Sequence, residues 1–117
     1  MKIKKFNFKK VYSTNKTAIK IINSTKLNYG MIVSESQKNG KGQYGRNWIS
    51  FKGNLFVSFF YNIDNINFSI KKLTRINCLL VKKLISRFYK KEIFFKSPND
   101  LLINKKKISG ILQEIIV

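Results

Sequence analysis

Apolar residues change their spacing along this chain, and the changes mark its elements. FNFKKVYS at 6–13 alternates loosely and reads as a short strand leading into Ser13, Thr14 and Asn15, any of which can cap a helix that buries Ala18, Ile19 and Ile22. Asn28 and Gly30 mark a turn, after which Met31, Ile32 and Val33 read as a buried strand that delivers Glu35 and Gln37 to the segment beyond it. LFVSFFY at 55–61, β-branched and aromatic behind Gly53 and Asn54, predicts another strand. From Phe68 to about Tyr89 the spacing becomes three and four, with Ile70, Leu73, Ile76, Leu80, Leu84 and Phe88 in one stripe. That period predicts a long helix whose stripe is core and whose lysine-bearing face is solvated. The last third reads as an aromatic strand, an SPND turn at 97–100, a second strand, a lysine turn from Asn104 to Lys107, and a third strand broken by Gly110. No turn residue follows Ile115, Ile116 and Val117, so the chain is expected to stop inside a strand, as the first part of a longer domain.

Interleaved strands and helices of this kind predict an α/β (α+β) fold. A chain of 117 residues has room for one domain with a modest core. It has no apolar run near the length of a membrane span, and MKIKKFNFKK lacks the apolar stretch of a secretory signal, which predicts a soluble, cytoplasmic protein. The chain has no histidine and one cysteine, so a Ser-His or Cys-His catalytic pair and an ordinary zinc site are excluded, and Cys78, inside the helical pattern, reads as a small core residue. Any chemistry rests on Lys, Arg, Asp, Glu, polar side chains and backbone.

A formal charge of +19 raises the prospect of nucleic acid as a partner. Of the 24 basic residues, 21 are Lys, and they accompany many Asn, Ile and Phe, the set expected of A- and T-rich coding. They are spread along the chain instead of gathered in one block, so most of the charge reads as solvated surface.

The stretch with candidate chemistry is SESQKNGKGQYGRNW, where Gly40, Gly42 and Gly45 are interleaved with Lys41 and Arg46. Glycines let backbone N–H groups approach an anion closely, and the flanking cations complement its charge. The loop lacks the GK[ST] ending of a P-loop, and its GxGxxG spacing runs into Trp48 and a strand instead of opening a helix. Strand, glycine loop, strand is the predicted geometry, with Trp48 in the core or forming a wall on which a heterocycle stacks.

Taken together, STN at 13–15, QKNGKGQYGRNW at 37–48, GNLFVSF at 53–59 and KSPNDLLINKKKISGILQE at 96–114 resemble the biotin–protein ligase family in order and spacing, over essentially the whole chain. The resemblance implies a largely antiparallel mixed sheet with flanking helices, the core shared with lipoate ligases and class II aminoacyl-tRNA synthetases. It implies an ATP-dependent ligase that makes biotinyl-5′-AMP and passes biotin to a lysine of a biotin carboxyl-carrier protein, with biotin, ATP and Mg²⁺ as its small molecules. It further implies that Ser13, Thr14 and Asn15 meet the ureido ring of biotin with Gln37 beside them, and that Gly40, Lys41, Gly42 and Gln43 belong to the biotin and adenylate site. Arg46 faces the phosphates, Trp48 lines the nucleotide pocket, Lys96 places a positive charge between carboxylate and α-phosphate, and Lys107 assists with phosphates or finishes a turn. Lys96 and Arg46 are thus the implied catalytic residues. Gln43 and Ser97 stand where the family usually has Arg and Trp, and Lys41 replaces an Arg, keeping the charge without the bidentate fork.

On this reading residues 1–117 are the N-terminal part of one catalytic domain, with no DNA-binding domain before it and the later glycine–asparagine strand and small β domain beyond Val117. The partner is a carrier protein, without specific DNA binding or a membrane, and a homodimer is compatible with it. The alternatives are a lipoate or octanoate ligase, against which GKGQYGRNW and KSPND speak, and a basic nucleic-acid-binding module.

Overall fold

Lys4–Phe8 forms strand β1 and pairs in parallel with β2, Tyr29–Ser34, in the register Lys4 to Gly30 through Phe8 to Ser34. A parallel neighbour requires a crossover, which helix α1, Thr14–Ser24, supplies. Ser13 caps it from extended backbone, its Oγ accepting the Lys16 N–H at 3.1 Å. The computed structural model describes residues 2–116. Phe56–Tyr61, here β5, closes the sheet in the order β1-β2-β5 and runs antiparallel to β2, so that Gly30 faces Phe60 and Ile32 faces Ser58. Between β2 and β5 lie two short strands, β3 at Gly40–Lys41 and β4 at Asn47–Trp48, paired antiparallel around a 3₁₀ turn at 43–45.

The core of this sheet and helix is Ala18, Ile32 and Phe60, with Phe6, Ile21 and Ile22 packed against it. Ile32 is fully enclosed. Ile32→Val, which removes one methylene from a site with no slack, is expected to lower unfolding stability by about 0.5–1.5 kcal/mol in urea titration.

The chain divides into two compact units, essentially residues 1–66 and 67–115. In the second, helix α2 spans Ile70–Ile85, capped by Ser69, whose Oγ accepts the Lys72 N–H at 3.2 Å. Strands β6 (Phe94–Lys96), β7 (Asp100–Ile103) and β8 (Lys106–Gly110) form an antiparallel sheet in that order. The turn from β7 to β8 is Asn104–Lys105, both left-handed with φ of 49° and 63°, the arrangement that suits a two-residue hairpin.

Several expectations are corrected by these elements. The first strand begins two residues before Phe6, and the long helix is shorter than the 68–89 period suggests. Its apolar run continues past Ile85 only as turns, where Ser86 bonds back to the Lys82 carbonyl through both its N–H and its Oγ. The predicted core stripe is mostly uncovered: Leu73 is buried, but Ile70, Leu80, Leu84 and Phe88 are exposed. The face that packs is Leu73, Thr74 and Cys78, with Asn77 donating to the Gln113 Oε1 at 2.8 Å. Spacing identifies apolar positions, whereas burial depends on which of them meet a neighbour. Lys107 lies in β8 and not in the turn, and β8 ends at Gly110. Residues 111–116 are not strand, so the expected terminal strand is absent among the described residues, and Val117 lies outside them. Cys78 is buried as expected, and desolvation, with the Asp100 charge adding to it, pushes its thiol pKa up. Among the described residues no helix is long and apolar enough to cross a membrane.

Candidate functional site

In the first unit, the STN segment and the glycine loop are joined by a continuous set of hydrogen bonds. The β1–β2 ladder extends past Phe8 as Val11 donates to the Ser36 carbonyl at 3.2 Å, Lys38 to Val11 at 3.0 Å and Asn39 to Tyr12 at 2.7 Å. This zipper lays residues 36–39 alongside the start of α1. Gln37 then bridges outward: its Oε1 accepts the Thr14 N–H at 3.2 Å, and its Nε2 donates to Ser50 Oγ at 3.1 Å, which in turn donates to the Trp48 carbonyl at 3.3 Å. One amide thus ties the N-terminal turn of α1 to the exit of the loop.

Below it, Ser58 on β5 touches both Thr14 Oγ1, at 2.7 Å, and Asn15 Oδ1. Proton inventory orders this group. A hydroxyl has one proton and an amide oxygen only accepts, so Ser58 donates to Asn15 and Thr14 donates to Ser58. The chain Thr14 to Ser58 to Asn15 turns the Asn15 amide oxygen toward β5. Thr14 and Ser58 are both buried, at 7% and 6% exposed, and polar groups at that depth hold their geometry because breaking it leaves them unsatisfied. Ser58→Ala removes the shared partner and is expected to lower stability by about 1–3 kcal/mol, read from chemical denaturation.

Ser50 and Ser58 are the residues that sequence reasoning passed over. The available signal for Ser58 was a hydroxyl among aromatics on the inward face of FVSFFY, where Phe56, Ser58 and Phe60 share one side.

The loop tip is a tight hairpin. Gly42 N–H donates to the Arg46 carbonyl at 2.7 Å and Arg46 N–H to the Gln43 carbonyl at 3.2 Å. Tyr44 and Gly45 are both left-handed, with φ of 58° and 71°. Gly40 is buried, while Lys41, Arg46 and Tyr44 are exposed and Trp48 is half-buried. A Cβ on Gly42 would lie 3.6 Å from the Trp48 ring, so the indole backs the loop at its middle. The geometry offers a polar cluster of buried Thr14 and Ser58 with half-buried Asn15, and in the same unit a hairpin carrying two exposed cations. Such a pair of features suits a ligand with a compact, hydrogen-bonding head and an anionic tail.

Of the residues singled out from the sequence, Ser13, Thr14, Asn15, Gln37, Gly40, Lys41, Gly42, Gln43, Arg46 and Trp48 fall in the first unit. Ser13 spends its hydroxyl on capping α1. Lys96 and Lys107 belong to the second unit. There Lys96 ends β6 opposite Asp100, and the Lys107 ammonium lies 2.9 Å from Asp100 Oδ1. That oxygen is buried without an aligned hydrogen bond, so charge is what holds it. Among the described residues no three His, Cys, Asp or Glu gather as metal ligands, and segment 36–50 carries no carboxylate.

The profile of the Biotin/lipoate A/B protein ligase family matches residues 8–117. The bifunctional ligase/repressor BirA of Bacillus spizizenii is 32% identical over 106 residues, 90% of this chain and 33% of that protein. BirA of Escherichia coli is 29% identical over 84 residues, 71% of this chain and 26% of its own length. Among solved structures, the Aquifex aeolicus biotin protein ligase in complex with biotin and ATP superposes with a TM-score of 0.83 at 28% identity, covering 96% of this chain and 47% of that one. The biotin acetyl coenzyme A carboxylase synthetase of Helicobacter pylori, with bound biotinylated ATP, shares the fold with a TM-score of 0.85 at 23% identity, over 98% of this chain and 56% of that one. The chain spans a quarter to a third of the length of these curated relatives.

Proposed function

Because this chain belongs to the biotin/lipoate A/B protein ligase family, we propose that it carries the biotin-binding part of an ATP-dependent biotin–protein ligase. On this reading residues 1–117 are the N-terminal part of a single catalytic domain. The observation that carries it is the Gln37 bridge between the N-terminus of α1 and the loop exit, with buried Thr14 and Ser58 and half-buried Asn15 hydrogen-bonded in the same unit. A cyclic urea, flat and both donor and acceptor, is the kind of head group that such a cluster recognises. Relatives in complex with biotin and ATP support the same ligand.

The reaction proceeds in two displacements. A carboxylate oxygen of biotin attacks the α-phosphorus of ATP, the bond to the β-phosphate breaks, and pyrophosphate leaves. The amine of a carrier-protein lysine then attacks the acyl carbon of biotinyl-5′-AMP and releases AMP. Lys41 and Arg46, exposed on the hairpin, supply positive charge for carboxylate and phosphates, and backbone N–H groups of the glycine loop pair with oxygens. Trp48 lines the nucleotide side, and Lys96 adds cationic charge for the phosphates, whereas the charge of Lys107 is taken up by Asp100. Mg²⁺ enters with ATP as part of the substrate, lowering charge on the leaving phosphates. A hairpin with three glycines within six positions orders at a cost of about 1–2 kcal/mol per residue, which ligand contacts offset, so closure over the adenylate also keeps water from the anhydride.

Trp48 is the one tryptophan in the chain and sits against the loop, so its fluorescence reads binding directly. Biotin is expected to change that signal saturably, and the protein extended to the length of its relatives is expected to release pyrophosphate with biotin and Mg-ATP. Pyrophosphate release with lipoate or octanoate and none with biotin would move the assignment to the lipoate branch.

A further inference from the structure

On the second unit, α2 and the β6–β7 segment enclose an open groove of about 770 Å³. Its helical wall is a stripe at positions i, i+3, i+4 and i+7: Lys72, Arg75, Ile76 and Leu79, distinct from the buried Leu73, Thr74 and Cys78. Phe95 and Pro98 form the facing wall. Alternation along β6 turns Lys96 away from the side on which Phe95 meets the groove, so the groove is separate from the lysine assigned to the reaction. Lys71 adds a third cation at the rim, and Lys72 is steadied over the Phe68 ring at 4.9 Å. No carboxylate lines it. Segment 67–115 holds twelve Lys and Arg against three Asp and Glu, and one of those three, Asp100, is engaged by Lys107. The groove thus combines an apolar floor with uncompensated positive charge.

We propose that this groove docks an acidic peptide segment of a partner protein, seating a large apolar side chain on Ile76, Leu79 and Phe95 while flanking carboxylates meet Lys71, Lys72 and Arg75. Charge complementarity selects the carboxylates, and the floor selects a peptide over a phosphodiester chain. A nucleic-acid backbone gains its affinity from cations and counterion release and has no use for an aliphatic slot. A helix presenting an i, i+3, i+4, i+7 surface is also the common geometry of short-peptide recognition. The inference is independent of the reaction proposed above, since neither biotin nor ATP takes part.

The test uses the 117-residue chain and a fluorescein-labelled peptide, Glu-Asp-Leu-Phe-Asp-Glu, followed by fluorescence anisotropy across a salt series. The double variant Lys71→Glu/Arg75→Glu is expected to weaken binding at least roughly tenfold, and Leu79→Ser several-fold. Lys82→Glu/Lys83→Glu, the same charge change in the last turn of α2, is expected to alter it less than about twofold, as a diffuse surface effect. Replacing the peptide's Leu and Phe by Ser should also lose about tenfold. All five positions are exposed or partly exposed, and circular dichroism checks that each variant stays folded. Equal losses from the two charge pairs, indifference to the apolar residues, or no binding at all would overturn the proposal. So would a thymidine hexanucleotide that binds more tightly with the same dependence on Lys71 and Arg75, which would make the groove a nucleic-acid site.

Discussion

In the protein extended to the length of its relatives, Lys96→Ala is expected to lower adenylate formation roughly 10²–10³-fold while biotin binding stays measurable. A preorganised charge aimed at a developing one contributes about 2.7–4 kcal/mol to the transition state and much less to the bound substrate. Lys96 is exposed at the end of β6, so its ammonium is not consumed in packing and its removal leaves the fold intact. Lys96→Arg restores little, because a planar fork does not replace a compact point charge. Pyrophosphate release measured beside Trp48 fluorescence titration separates the two effects. An adenylation rate equal to that of the unmodified protein would remove Lys96 from the mechanism.

The second large effect is on binding itself. A Cβ at Gly40 would stand 2.5 Å from Gln37 Nε2, 2.9 Å from Ser50 Oγ and 3.0 Å from the Trp48 carbonyl. The first two atoms are the two ends of the bridge to the loop exit, and the third is backbone that cannot yield. Gly40→Ala therefore displaces the Gln37 amide and forfeits two partly buried hydrogen bonds, at about 1–3 kcal/mol each. Biotin affinity is expected to drop about 10²-fold, each 1.4 kcal/mol being tenfold. Gly45→Ala is the control: its φ of +71° strains an alanine, but nothing lies within 4 Å of the added atom, so the bridge survives and the loss is smaller. Equal losses in the two variants would show that the bridge does not govern binding.

Ser13 announced α1 because capping is local, satisfied within three residues of the cap. The strands around Ile32 and Phe60 announced themselves by composition, and the glycine loop by its punctuation. The β3–β4 hairpin stayed hidden, since strands of two residues have no period and its turn places Tyr44 in a left-handed conformation that is uncommon for a non-glycine residue. Ser50 and Ser58 stayed hidden for a different reason. Each matters through a partner 13 to 44 positions away, a relation that only the folded chain creates. On α2 the apolar spacing was right for a helix and misleading about its packed face, which Thr74 and Cys78 share with Leu73.

Cys78 has a practical consequence. It is the chain's one thiol, enclosed in the second unit and held protonated by its surroundings, so a thiol reagent can reach it only during an opening. Its labelling kinetics therefore count excursions of residues 67–115 from the closed state, just as hydrogen exchange counts them for an amide. Trp48 lies in the other unit. One chain then carries two native reporters, each confined to one unit, and comparing the denaturant dependence of labelling with that of fluorescence tells whether the units melt together or in turn.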